Sequence, residues 1–131
     1  MQIKASPTGD GGLSMIDATS SSLSALSAFR KKMDVTANNV ANALTDEFKK
    51  SRVTMEEGSP NGVKAVVDRV ETHGFPKESI RDGESVTVES SNVDLNEELP
   101  EMVITQTAYS ANLKTVKAQN DMMGSLLDIF S

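Results

Sequence analysis

The stretch ANNVANALTDEFKKSRV, residues 37–53, is where a helical repeat gives way to strand alternation, and how it is read sets the fold. Leading up to and into it, Ile16, Thr19, Leu23, Leu26, Arg30, Met33, Ala37, Val40 and Leu44 recur in steps of three and four. That is the seam of a helix packed lengthwise on another helix. Asparagine is a poor helix former, unfavourable by roughly 0.5–0.7 kcal/mol relative to alanine. Asn38, Asn39 and Asn42 together therefore weaken the helix by about 2 kcal/mol. Either they cap a helix that ends here, or their amides bond to something beyond it.

Downstream the period changes. Val53 and Met55 alternate with polar residues up to the turn Gly58-Ser59-Pro60-Asn61-Gly62, and Val63, Ala65 and Val67 follow. A second break falls at Gly74-Phe75-Pro76. Asp82-Gly83 marks a tight hairpin between Ile80 and the run Ser85–Ser90. Three or four short strands are expected, too few for an independent sheet domain without helical support.

From Leu95 the helical repeat returns through Leu99, Met102, Gln106, Tyr109, Leu113, Val116, Asn120, Met123, Leu127 and Phe130. Asn92 or Asp94 is the candidate N-cap, and Glu97, Glu98 and Glu101 suit the positive end of a helix. The predicted architecture is mainly α. Two long terminal helices pair as an antiparallel coiled coil, with a small β-hairpin-rich insertion at the far end. The predicted boundaries are an arm without order over residues 1–14 and one domain over 15–131. Within the domain, the first helix spans 15–45, the insertion 50–90 and the second helix 93–130. The helix-pairing seam is Leu23, Leu26, Met33 and Val40 against Leu99, Met102, Tyr109, Leu113, Val116, Met123 and Leu127. The other face of the first helix, with Ser21, Ser24, Ala25, Ala28 and the asparagines, is small and mostly uncharged. Such a helix has neighbours on several sides, and other chains could supply them.

Composition narrows the function. The 131 residues include 13 Lys and Arg against 19 Asp and Glu, a formal charge of −6, so nucleic acid is not an expected partner. There is no cysteine for a disulfide or thiolate metal site. No run approaches the ~18 apolar residues of a membrane span, so no membrane insertion is expected. The first twelve residues lack the apolar region of a cleavable secretory signal, and Met15 is a second candidate start. His73, the one histidine, sits in a loop and reads as solvated. The acidic run from Asp94 lacks the calcium-loop pattern and reads as a solvated first helical turn. No catalysis, cofactor or metal is expected.

Two segments carry a resemblance. Asn38-Asn39-Val40-Ala41-Asn42, Thr45 and Phe48-Lys49 resemble the N-terminal signature of the bacterial flagellar rod and hook axial proteins. Ser91–Asp94, Glu101–Val103, Gln106–Tyr109, Ala111-Asn112 and Asp121–Met123 resemble the C-terminal signature of the same family. Together the motifs cover about 70 residues, in the right order and at the right ends. The short spacing between them is similar to that of the short proximal rod proteins, and Gly62–Glu71 resembles a strand those members carry. Glu47 departs from the pattern where the family usually has Gly, and Pro100 where an apolar helix residue is usual.

The resemblance implies a structural subunit that passes through the flagellar type III export apparatus without cleavage. It would assemble with copies of itself and other rod or hook proteins into the periplasm-spanning rod of the basal body. It also assigns the asparagines: Asn38, Asn39 and Asn42 become candidates for contacts between subunits, with helix capping the alternative that best suits Asn42. A soluble helical adaptor or regulator of flagellar secretion, outside the axis, is the other function compatible with these features.

Overall fold

The computed structural model describes residues 11–131. Two long helices flank a pair of β-hairpins: α1 (Gly11–Ala41), β1 (Ser51–Glu57), β2 (Val63–Arg69), β3 (Pro76–Arg81), β4 (Glu84–Glu89) and α2 (Leu95–Phe130). The arm expected over residues 1–14 lies outside the described residues as far as position 10, and Gly11 already belongs to α1. At its other end α1 stops at Ala41, four residues before the expected limit.

Each hairpin follows from its turn. β3 and β4 pair with Arg81 opposite Glu84, leaving the two-residue loop Asp82-Gly83 at φ +53° and +84°. Positive φ at both positions matches the twist of the flanking strands, and glycine takes it without strain. β1 and β2 pair antiparallel with Val53 opposite Val67 and Met55 opposite Ala65. Ser51, Val53 and Met55 are half-buried and alternate with exposed residues, as one-sided packing requires.

This first hairpin does not sit at the far end of the helices, as the sequence suggested, but packs along α1. The lengths match. Seven strand residues span about 23 Å, and the fifteen steps from Ser24 to Asn39 span about 22 Å of helix. The hairpin leaves α1 beside Asn39 and returns at Ser24, whose Oγ accepts the Val63 N–H at 3.0 Å. A Cβ on Gly62 would stand 2.5 Å from that Oγ. The small residues Ser24 and Ala28 on α1 are thus covered by the chain's own hairpin, which corrects the inference that other chains must cover that face.

The two helices pack lengthwise through partners that step down α1 as they step up α2. Asn39 meets Glu98, Lys32 pairs with Glu101, and the Asn112 amide donates to the Ser22 carbonyl. The buried residues of the two helices, beyond Ala28 under the hairpin, are Thr36 and Asn39 on α1 and Glu98, Thr105 and Val116 on α2. Most are small or polar, so the contact is not the expected row of interlocked apolar knobs.

Asp94 is the N-cap of α2, its carboxylate accepting the Asn96 N–H at 2.9 Å. Pro100 sits in the second turn and offers no N–H to the Asn96 carbonyl.

Candidate functional site

The segment from Asn38 to Ser51 bonds to both helices and both hairpins. Asn42 ends α1. Its N–H is shared between the carbonyls of Asn38 and Asn39, both at 3.1 Å. Its side-chain amide donates to the Asn38 carbonyl at 2.9 Å and to Asn38 Oδ1 at 2.8 Å, while Thr45 Oγ1 donates to Asn42 Oδ1. These bonds satisfy carbonyls that a helix end leaves open. For Asn42 the capping alternative describes what is found.

Asn39 is the centre of the arrangement. Its side chain is 2% exposed and holds Ser51 with two bonds. Nδ2 donates to the Ser51 carbonyl at 2.8 Å, and Oδ1 accepts the Ser51 N–H at 3.0 Å. A primary amide has the donor–acceptor pair of a backbone peptide, so it docks the first residue of β1 as a neighbouring strand would. The same Nδ2 donates to Glu98 Oε2 at 3.1 Å. One side chain therefore ties α1 to β1 and α2. This overturns the expectation that Asn39 serves another subunit. Asn38 alone of the three has an exposed residue surface.

Asn92 repeats the device one residue away. Its Oδ1 accepts the Lys50 N–H at 2.6 Å, and its Nδ2 donates to the carbonyls of Val70 and Thr72 at 2.8 and 2.9 Å. Two asparagines, from either side of the β-hairpins in sequence, thus hold the adjacent residues Lys50 and Ser51. The acids of the α2 first turns close the junction. Glu97 pairs with Lys50 at 3.0 Å and Glu101 with Lys32. Those carboxylates fasten elements together, which corrects their reading as a merely solvated turn.

The second hairpin is anchored by Lys49. Its ammonium donates to Glu89 Oε2 at 2.6 Å and to the Thr72 carbonyl at 3.1 Å, and His73 Nδ1 lies 2.7 Å from Glu89 Oε1. These contacts hold the Glu89 carboxyl below its usual range, the Lys49 bond contributing most. The Glu47 N–H donates to the Glu89 carbonyl at 2.8 Å, and Lys77 pairs with Asp46 at 2.6 Å. Glu47 itself takes φ +62°, the backbone a glycine would accept freely. The tight turn is kept although the glycine is not.

The expected apolar seam is placed differently. Of its eleven residues only Val116 is buried; Leu26, Met33, Val40, Met102 and Tyr109 are half-buried. Leu23, Leu99, Leu113, Met123 and Leu127 are exposed, Leu99 by 50% and Leu113 by 49%. The reason is geometric. Successive residues stand about 100° apart around a helix of 3.6 residues per turn. The inner face of α2 runs through Glu98, Thr105, Asn112 and Val116, so the stripe of Leu99, Leu113 and Leu127 lies beside it. Spacing alone gave no sign that the polar row, and not the apolar one, faces α1.

Helices closed by side-chain amides, with an apolar stripe beside the closure, are the features to set against known families. Residues 20–49 match the family described as Flagella basal body rod protein. Residues 85–129 match Flagellar basal body rod FlgEFG protein C-terminal. The two matches together span more than half of the chain, which belongs to the flagellar basal body rod protein family. That family is structural and not enzymatic, and it implies location in the flagellar basal body. No curated protein matches the chain. No helix among the described residues is long and apolar enough to cross a membrane.

Proposed function

We infer that this chain is a self-assembling subunit of the flagellar rod, delivered by the flagellar type III export apparatus, and that it packs against neighbouring axial subunits through the heptad stripe of α2. The observation that carries this reading is the stripe itself. Leu99, Leu113, Met123 and Leu127 keep heptad spacing along one helix yet are exposed. Fully burying such a side chain yields about 1.5–3 kcal/mol, so half-exposed ones leave roughly 1 kcal/mol each for association. With Met102 and Tyr109 the stripe offers about 5–9 kcal/mol. Association itself costs an estimated 4–15 kcal/mol. One contact is therefore marginal, whereas a subunit held by several neighbours is stable.

Asn38 remains a candidate for subunit contact, since its residue surface is exposed beside α1's last turn. The test is fractionation of a tagged chain in a complemented deletion strain. Recovery in purified basal bodies, lost with Leu113→Glu, supports the reading. A chain found only in the soluble fraction would favour an adaptor or regulator outside the axis.

A further inference from the structure

The turn at the tip of the first hairpin, Gly58-Ser59-Pro60-Asn61-Gly62, contains an exposed asparagine followed by glycine. In such a pair the side-chain amide carbon can reach the next backbone nitrogen, and glycine has no Cβ to obstruct the approach. The chain has eight asparagines, and Asn61 alone precedes a glycine. The other seven precede N–H groups that are already engaged. Those after Asn38, Asn39, Asn112 and Asn120 lie inside α1 and α2, where the helix ladder holds them. The N–H groups of Ala43, Val93 and Glu97 donate to the Val40 carbonyl, Ser91 Oγ and the Asp94 carbonyl. At Gly62 it is the carbonyl that the turn uses, accepting the Gly58 N–H at 2.9 Å.

We propose that Asn61 is a site of spontaneous deamidation, and that the modification releases the hairpin tip from α1. The Gly62 nitrogen, its proton taken by hydroxide, attacks Asn61 Cγ. The new N–C bond closes a five-membered succinimide, and the side-chain nitrogen leaves as ammonia. Water then adds to one of the two imide carbonyls and breaks its bond to nitrogen. Opening on one side leaves aspartate. Opening on the other leaves isoaspartate, whose backbone runs through the former side chain and is one methylene longer. In sum, one water is consumed and one ammonia released, with no oxidation or reduction. Position gives the reaction its consequence. Gly62 lies so close to α1 that a Cβ there would stand 2.5 Å from Ser24 Oγ, and Val63 gives that Oγ its N–H at 3.0 Å. Val63 thus donates to α1 and not to β1, and this bond seats the tip. An extra methylene just before Gly62 lengthens the path by about 1.5 Å. That is more than a bond of 3.0 Å tolerates.

The test is incubation of the purified full chain at mildly alkaline pH. Peptide mass spectrometry then locates each amide turned to acid, enzymatic methylation counts isoaspartate, and hydrogen exchange follows the Val63 amide. The expected result is conversion of Asn61 at least tenfold faster than of any other asparagine, with isoaspartate the main product. The modified fraction should exchange the Val63 amide at least fivefold faster than fresh protein, with the amides of α2 unchanged. Asn61→Gln, whose longer side chain would have to close a six-membered ring, should keep its mass and its Val63 protection through the same incubation. Ser24→Ala should show the fast Val63 exchange without any modification. Conversion of Asn61 no faster than of the other asparagines overturns the proposal. So does a modified chain whose Val63 exchange matches that of fresh protein, or an incubated Asn61→Gln chain that loses its Val63 protection as the parent does.

Discussion

At the scale of single residues, the loop between helix and strand is controlled by side chains that imitate or strain the backbone. Glu47 is held in the left-handed region, which a residue with a Cβ enters at a penalty of about 1–2 kcal/mol. Glu47→Gly relieves that strain but adds freedom to the unfolded chain. Its pairing with Arg81, at 3.9 Å between exposed groups, contributes little. The expected net effect is a gain of about 0.5–1 kcal/mol, read as a higher urea midpoint. Glu89 gives a pH dependence. Its carboxyl is held below the ordinary 4.5 by the hydrogen bonds from Lys49 and His73. A carboxyl depressed in the folded state adds stability above its unfolded pKa and loses it as pH falls through the folded value. Stability should therefore decline as the pH drops below about 4.5. Lys49→Ala removes the largest cause, so the acid limb of a urea-midpoint series should flatten. At this scale the sequence was partly legible: Asp82-Gly83 and Asp94 declared their turn and cap. The partners of Asn39 and Asn92 did not, because each is set by a residue 12 or more positions away.

At the scale of elements, periodicity located both helices and both hairpins, but it did not say which helix face meets which neighbour. Both candidate rows on α2 repeat at seven, Glu98–Thr105–Asn112 and Leu99–Gln106–Leu113, and adjacent positions cannot both face α1. Hydrophobicity favoured the second row. The fold uses the first, because Asn39 and Lys32 on α1 supply partners for Glu98 and Glu101. Substitutions separate the two rows. Val116→Ala, at a buried site, should destabilise the isolated subunit by about 1–3 kcal/mol. Leu113→Ser, on the exposed row, should change the urea midpoint little yet reduce recovery of the subunit in basal bodies. The small-residue face of α1 was equally ambiguous. Serine and alanine there fit a close neighbour, and nothing local distinguished another chain from the hairpin that Ser24 and Gly62 seat.

For the whole molecule, we assign the signature amides to closure of the fold and the apolar heptad to assembly, the reverse of what residue type and spacing suggest. The two assignments differ most sharply in the stability of the isolated subunit, measured by equilibrium urea unfolding of Asn39→Ala beside Leu113→Ala. Asn39→Ala removes two bonds to Ser51 and leaves Glu98 without its amide, with the buried partner groups unpaired at about 1–3 kcal/mol each. Alanine's better helix propensity returns only about 0.6 kcal/mol. Leu113→Ala removes a side chain already half in water and opens no enclosed cavity. This assignment of roles predicts a loss of about 2–4 kcal/mol for Asn39→Ala and under about 1 kcal/mol for Leu113→Ala. The opposite order, with Leu113→Ala the more damaging and Asn39→Ala neutral or stabilising, would contradict it.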